Sequence, residues 1–268
     1  MTLFEKKPEA NLILEPFFND LKNAPPEKRL LMLDYDGTLA PFRIERERAV
    51  PYSGVREILN RLILSKQTQV VIISGRAIAD LIPLLGLKEL PEIWGSHGLE
   101  RRFPDGTGQK IEIDPSLREL FTEVKKWADQ KGWGERCEVK PGSTALHWRG
   151  LSEPAQNQMK KAFLDAWAPP ARRQDLLLKN FDGGIEIRLP GVNKGDAVRI
   201  LLREKGKGAV AAYLGDDLTD EDAFHALRGK GLAVLVRKEF RPTAAALHLV
   251  PPEELLEFLS RWLNHLIF

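Results

Sequence analysis

The chain has 268 residues, 43% of them hydrophobic and 29% charged, a balance that suits one large folded domain or two modest ones. A formal net charge of +2 argues against a general polyanion-binding surface, so nucleic acid is not an expected partner. No apolar run approaches the roughly 20 residues that cross a bilayer, the N-terminus lacks a signal-peptide core, and the single cysteine, Cys137, has no internal disulfide partner; the expectation is a cytoplasmic protein with no membrane association.

Residues 11–23 read as a short amphipathic helix closed by Asn23-Ala24-Pro25-Pro26. An alternation follows: RLLMLD at 29–34 as a buried strand, 50–66 as a helix, QVVIISGR at 69–76 as a second strand, 78–86 as a helix and EIWGSHG at 92–98 as a third strand. The middle of the chain has a different rhythm. RRFPDGTGQKIEI at 101–113 reads as a hairpin turning at Asp105-Gly106, then come a helix at 115–131, strands ERCEVK and STALHWR, a helix at 152–168, and strands QDLLLKN and GIEIRLP. Cys137 falls in this stretch and reads as a small packing residue. After residue 190 the first rhythm returns: helix 195–206, strand 209–217, helix 219–229, short strands LAVLV and LHLV, and a closing helix over 251–268. Apolar strands alternating with helices predict a parallel α/β sheet covered on both faces. The expected architecture is a core made of 1–100 and 190–268, with an α+β module of the βαββαβ type, 101–189, inserted as a lid. Its hinges are expected near 98–102 and 190–193.

The polar residues gather where such a fold places its chemistry, beyond the carboxyl ends of the strands. The first strand ends in Asp34 and Asp36, which point to one side because residues two apart in an extended chain share a face, with Tyr35 turned away. Two carboxylates aimed at one point call for a cation between them, and hard oxygen ligands beside a phosphate partner favour Mg²⁺. The second strand ends at Ser74-Gly75-Arg76, a lysine, Lys194, opens a helix where the dipole favours an anion, and a fourth strand ends at Asp216-Asp217. Glu221 and Asp222, in the first turn of a helix, are read as structural.

In order and spelling, DYDGT, the serine of SGR, Lys194 and GDDLTDED resemble the four motifs of the haloacid dehalogenase superfamily. That resemblance implies a Rossmann-like core with an inserted C2-type cap, and phosphate-ester hydrolysis through an aspartyl-phosphate. It makes Asp34 the nucleophile and Asp36 the acid and then the base, with the Asp36 main-chain carbonyl also on the metal. Asp34, Asp36 and Asp216 are the implied metal contacts. Thr38, Ser74, Gly75 and Arg76 would hold the phosphoryl group with Lys194, while Asp220, and with less definition Asp217, would orient these groups from behind.

The inserted segments resemble one family within it, the trehalose-6-phosphate phosphatases: GSHGLE at 95–100, Glu138-Val139-Lys140, His147-Trp148-Arg149, and GIEIRLP with Glu186 and Arg188. By resemblance, Glu138, Lys140, Arg149 and Glu186 surround the sugar, with His97 and Glu100 at the junction as further candidates. Two positions depart from the family spelling: Trp148 stands for a tyrosine, and no tryptophan precedes Lys194-Gly195. The implied activity is Mg²⁺-dependent hydrolysis of trehalose 6-phosphate in trehalose biosynthesis. The residues alone leave open another sugar phosphate (sucrose, glucosylglycerol or mannosylglycerate phosphate), phosphoryl transfer to a sugar acceptor, or an inactive sugar-phosphate-binding domain. Association with a trehalose-phosphate synthase has no residue to support it.

Overall fold

The computed structural model describes residues 7–140, 142–181, 183–190 and 192–266. Its centre is an eight-stranded sheet formed by β1 (Arg29–Leu33), β2 (Gln69–Ile73), β3 (Glu92–Gly95), β4 (Glu100–Arg102), β5 (Gly108–Lys110), β10 (Val210–Gly215), β11 (Leu232–Val236) and β12 (Leu247–Leu249). The order is β12-β11-β10-β1-β2-β3-β4-β5; the first six strands run parallel and the last two antiparallel.

The alternation of side chains along the parallel strands divides the core in two. Leu31, Leu33, Val70, Ile72, Leu214 and Val234 point to one face, where α1 (Pro8–Asn23), α2 (Val55–Ser65), α3 (Ile78–Leu85) and α8 (Glu253–Asn264) cover them with Phe18, Leu59, Leu81, Phe258 and Trp262. Their neighbours Leu30, Met32, Val71, Ile73, Tyr213 and Leu235 point to the other face, under α6 (Lys194–Lys205) and α7 (Glu221–Leu227). Burial on both faces is what a continuous apolar strand requires, and it explains why these segments show no polar alternation.

A second, four-stranded antiparallel sheet has the order β6-β7-β9-β8, from β6 (Cys137–Lys140), β7 (Ser143–His147), β8 (Leu177–Phe181) and β9 (Gly184–Arg188). One of its faces packs Cys137, Leu146, Ile185 and Ile187 against α4 (Pro115–Gln130) and α5 (Glu153–Arg173). Strand parity then sends Glu138, Lys140, His147, Glu186 and Arg188 to the opposite face. Cys137 is buried in this small core, as expected of a packing residue, and burial pushes its thiol up to about 11.

Several elements differ from the sequence reading. The 101–113 hairpin forms, with Asp105 accepting hydrogen bonds from the Thr107 amide (2.8 Å) and hydroxyl (2.6 Å). Its strands, however, pair onto β3 and widen the core sheet, so the inserted sheet begins only at β6 and the module runs αββαββ. The helix expected at 152–168 continues to Arg173 through Pro169 and Pro170, with the buried Ala171 anchoring its last turn to the small core. The 50–66 helix starts at Val55, because Pro51 and the left-handed Gly54 hold the preceding residues out of helical geometry. The first helix begins earlier than expected, at Pro8, and the closing helix ends at Asn264. Of the segments read from the sequence, residues 267–268 and the hinge residue Gly191 lie outside the described residues. No described helix is long and apolar enough to cross a membrane.

Candidate active site

β1 stops at Leu33, and the chain turns at once. The amides of Leu39 and Ala40 donate to the Tyr35 carbonyl (2.9 and 3.0 Å), and the Gly37 amide donates to the Ala40 carbonyl (2.7 Å). Tyr35 points back into the core, its hydroxyl donating to the Ala49 carbonyl at 2.7 Å, while Asp34 and Asp36 turn toward the inserted sheet. Gly37 has φ +84°, and a Cβ there would lie 2.1 Å from Asp216 Oδ2. Both the turn and the approach of Asp216 need a glycine. Gly37→Ala is therefore expected to displace Asp216 and to lower kcat/KM by about 100-fold, the usual cost of a misplacement near 1 Å; phosphate-release kinetics would check it.

Asp34 is 3% exposed. Its Oδ1 accepts from Lys194 Nζ at 2.7 Å, and its Oδ2 from the Thr38 hydroxyl at 3.2 Å. Lys194 Nζ also donates to Asp220 Oδ1 at 2.6 Å. Asp220 is saturated: Oδ1 accepts the Tyr213 hydroxyl as well (2.5 Å), and Oδ2 accepts the amides of Asp216 (3.0 Å) and Asp217 (2.9 Å). It shapes the β10 end and holds the lysine. Asp217 caps the following turn by accepting the Leu218 amide at 2.6 Å.

Asp216 differs from its neighbours. It is 1% exposed, and neither of its carboxylate oxygens has a hydrogen-bond partner. Oxygens of Asp34, Asp216 and Asp220 lie within 4.8 Å of one another. Burial, then the charges of Asp34, Asp220 and Asp217, push the Asp216 carboxyl well above its ordinary range, and burial lifts Asp34 to about 7 against the pull of Lys194. Three buried carboxylates against one ammonium, with two orphaned oxygens, are what a divalent cation neutralises. The residues fit a divalent cation. Asp34 and Asp216 have oxygens to offer it, whereas those of Asp220 are already used.

The Asp36 side chain is occupied elsewhere. Arg76 grips it in a two-pronged ion pair, Nε to Oδ2 and Nη2 to Oδ1, both at 2.7 Å. Burial works to raise this carboxyl, but the Arg76 hydrogen bonds and charge prevail and hold it below its usual value. Any Asp36 contact to a metal therefore falls to its main chain in this arrangement. Ser74 is buried and accepts the Arg76 amide at 3.1 Å, so it shapes the loop. Gly75 leaves room for the His97 ring, which would sit 2.7 Å from a Cβ. Ser96 and His97 both adopt left-handed backbone (φ +49° and +58°), strain of a kind concentrated at functional sites. This turn aims His97 Nε2 at Glu186 Oε2, 3.3 Å away; burial keeps the imidazole below its ordinary pKa. Glu100 accepts the Ile78 amide at 3.0 Å and supports the start of α3.

The polar face of the second sheet closes the other side. Asp34, Asp36, Gly75, Arg76, His97, Lys140, Arg149, Glu186, Lys194, Asp216 and Asp217 line one cavity of about 70 Å³ between the two sheets; Thr38, Ser74, Glu138 and Asp220 do not line it. Glu186 accepts the Ser143 hydroxyl (2.7 Å) and lies 3.5 Å from Lys140 Nζ. Arg149 lies over the Phe42 ring, 4.1 Å from its centroid. Trp148 points into the small core with Leu146 and Phe163, so its departure from the family spelling does not alter the cavity wall. The sequence reading missed Phe42, Arg46, His147, Phe181 and Thr219, which also line the cavity. His147 could have been found, because it shares a strand face with Ala145 and precedes Arg149; Arg46 could not, sitting in the charge run ERER that reads as a solvated loop.

The geometry matches an independent comparison of sequences and folds. Residues 32–249 match the trehalose-phosphatase family. A maize protein named trehalose 6-phosphate phosphatase RA3 is 30% identical over 97% of this chain and 76% of its own length, and a trehalose-phosphate phosphatase of Mycobacterium avium is 32% identical over 88% of this chain. The chain spans 62% of the length of that mycobacterial protein. The C-terminal domain of C. albicans trehalose-6-phosphate phosphatase superimposes with a TM-score of 0.79 at 25% identity, covering 93% of this chain and 96% of the domain. With its α/β core, its inserted antiparallel sheet and the four motifs in place, the chain belongs to the trehalose-phosphatase family.

Proposed function

We propose that this protein hydrolyses trehalose 6-phosphate to trehalose and phosphate, with Mg²⁺ and through an aspartyl-phosphate on Asp34. The observation that carries the chemistry is the orphaned Asp216 carboxylate, buried beside an Asp34 whose oxygens are held by Lys194 and Thr38. Asp34, Asp216 and the Asp36 main-chain carbonyl would hold the cation. When bound, it neutralises charge on the phosphoryl oxygens as the nucleophile approaches.

The protein's own groups account for the rest. Lys194 holds Asp34 for in-line attack and adds a fixed positive charge at the phosphoryl position. An Asp34 oxygen forms a bond to phosphorus while the bond from phosphorus to the sugar oxygen breaks, and that oxygen takes a proton from Asp36. Asp36 needs that proton beforehand, yet Arg76 keeps it ionised in this arrangement. An incoming phosphate dianion offers Arg76 a better partner. Once the guanidinium turns to it, the strongest opposition to burial is gone, and burial raises the Asp36 carboxyl against the weaker charges of Arg46 and Arg149. In the second half, Asp36 accepts a proton from water as that water attacks phosphorus, and Asp34 is released with inorganic phosphate.

The module from α4 to β9 serves as the substrate-recognising lid of this reading, with its Lys140, Arg149 and Glu186 facing the sugar opposite His97 of the core. A cavity of about 70 Å³ is far smaller than the several hundred Å³ that enclose a ligand of this size. The two sheets must part to admit the substrate and close again to exclude water.

Phosphate release would be measured with trehalose 6-phosphate, glucose 6-phosphate, sucrose 6-phosphate and p-nitrophenyl phosphate. Rapid release from trehalose 6-phosphate, abolished by EDTA, is the expected result. Equal rates on all four would overturn the substrate assignment, and EDTA-insensitive turnover would overturn the metal. Mg²⁺ at about 100 times its Kd is also expected to stabilise the fold by roughly 2.7 kcal/mol, an effect visible in thermal unfolding and lost in Asp216→Asn.

A further inference from the structure

The loop after β1 carries a cation that none of the motifs explains. Arg46 belongs to the core, in a single helical turn at Arg46–Arg48, and it lines the cavity. It forms an ion pair with Glu138 of the inserted sheet, and its Nη1 lies 3.3 Å from His147 Nε2 on the neighbouring strand. His147 Nε2 is in turn 3.1 Å from Glu138 Oε2. Burial pushes His147 down to about 4, so it stays neutral near pH 7 and leaves the pairing of Arg46 with Glu138 undisturbed. Glu138 does not line the cavity; Arg46 does.

We propose that Arg46 is a specificity-determining residue, a core guanidinium tethered by Glu138 and His147 of the lid that donates hydrogen bonds to the hydroxyls of the sugar leaving group. The proposal rests on the sugar-phosphatase reading above and changes who contacts the sugar: Glu138 acts through Arg46. Charge decides the ligand group. Glu138 is shared by Arg46 and Lys140 (3.6 Å), and Glu186 lies 3.5 Å from the same lysine, so two carboxylates balance the two cations; that suits an uncharged hydroxyl, and the phosphoryl end already has Lys194 and Arg76. Geometry supplies the donors. The contacts of Arg46 with Glu138 and His147 run through Nη1, and its planar fork carries further donors on Nε and Nη2 that a lysine does not reproduce. Since the tether joins core to lid, the donors take up position only when the two sheets are closed, and sugar recognition is coupled to closure.

The test compares kcat/KM for trehalose 6-phosphate with that for p-nitrophenyl phosphate, whose leaving group has no sugar hydroxyls. In Arg46→Met and Arg46→Lys the ratio is expected to fall at least about tenfold, as for loss of one hydrogen bond from a charged donor, with KM for the sugar phosphate carrying the change. Glu138→Gln should lower the ratio on its own and have no further effect in the Arg46→Met background. Equal losses on both esters, or none, would overturn the proposal by making Arg46 structural or idle. Full recovery in Arg46→Lys would reduce it to a charge tie, and an undiminished Glu138→Gln effect on top of Arg46→Met would return the sugar contact to Glu138. A wild-type enzyme that prefers another sugar phosphate would instead refute the trehalose reading, and the Arg46 variants would then be judged on that ester.

Discussion

Asp34→Asn is expected to lower phosphate release by about 10⁴-fold or more, because an amide oxygen cannot form the covalent phosphoryl intermediate and no neighbouring group replaces it. Of the other aspartates, Asp36 is committed to Arg76 at 2.7 Å and Asp220 to Lys194 at 2.6 Å, and the unpartnered Asp216 is the one assigned to the cation. The variant should nevertheless fold. Asparagine has the same shape: its amide oxygen can still accept from Lys194, and its amide nitrogen can donate to the Thr38 hydroxyl. Stability in EDTA should not fall, and the sign follows from the raised carboxyl. Asp34 titrates at about 7 when folded, above its ordinary 3.8. The folded state therefore binds the extra proton, and the associated stability is complete at low pH and lost as pH rises through about 7. Asparagine carries no such dependence, so the unfolding temperature of the variant should gain on wild type between pH 4 and pH 8. Residual turnover near the wild-type rate would remove Asp34 from its role. A collapse of the fold would leave activity uninformative, and the thermal scan distinguishes the two.

Lys194→Met should cost both stability and activity. Its ammonium bridges Asp34 (2.7 Å) and Asp220 (2.6 Å), and its side chain is only 4% exposed. Those two partners and the burial act oppositely on Lys194, and the partners prevail, holding it well above the usual lysine range. Removing one member of a buried pair strands the other, at a cost of about 3–5 kcal/mol. Here two carboxylates are stranded, beside an Asp216 that already lacks partners. A fall in the unfolding temperature of about 10 °C is expected for a chain of this size. Adding Asp220→Asn should recover part of it, since one stranded charge is removed. Activity should drop about 10³-fold in the single variant, the scale of losing a preorganised charge at the reacting group, and the second substitution should not restore it. Recovery of activity together with stability would mean that Lys194 is only a structural counter-ion.

These expectations separate what could be read along the chain from what depended on its folding. The buried strands, the helices between them and the position of the four polar segments at strand ends were legible, because period and apolar runs are local properties. So were the identities of Asp34, Lys194 and Asp216 as a group, since strand ends in such a sheet converge whatever the details of packing. The placement of the 101–113 hairpin was not: its turn is local, but whether β4 pairs with β3 or with the inserted sheet depends on which edge is open. The partner of Asp36 was equally hidden, as Arg76 lies forty residues away and could have met the phosphate instead. Arg46 is the plainest case. Its sequence neighbours mark it as a surface charge, and only the approach of β6 and β7 to the loop after β1 makes it a wall of the cavity. The sequence by itself determined which chemical groups gather at the site, because the carboxylates and the ammonium are set by residue type at the ends of strands and the start of a helix. The tertiary structure alone decided which other side chains share the cavity with them, because that depends on how the two sheets meet.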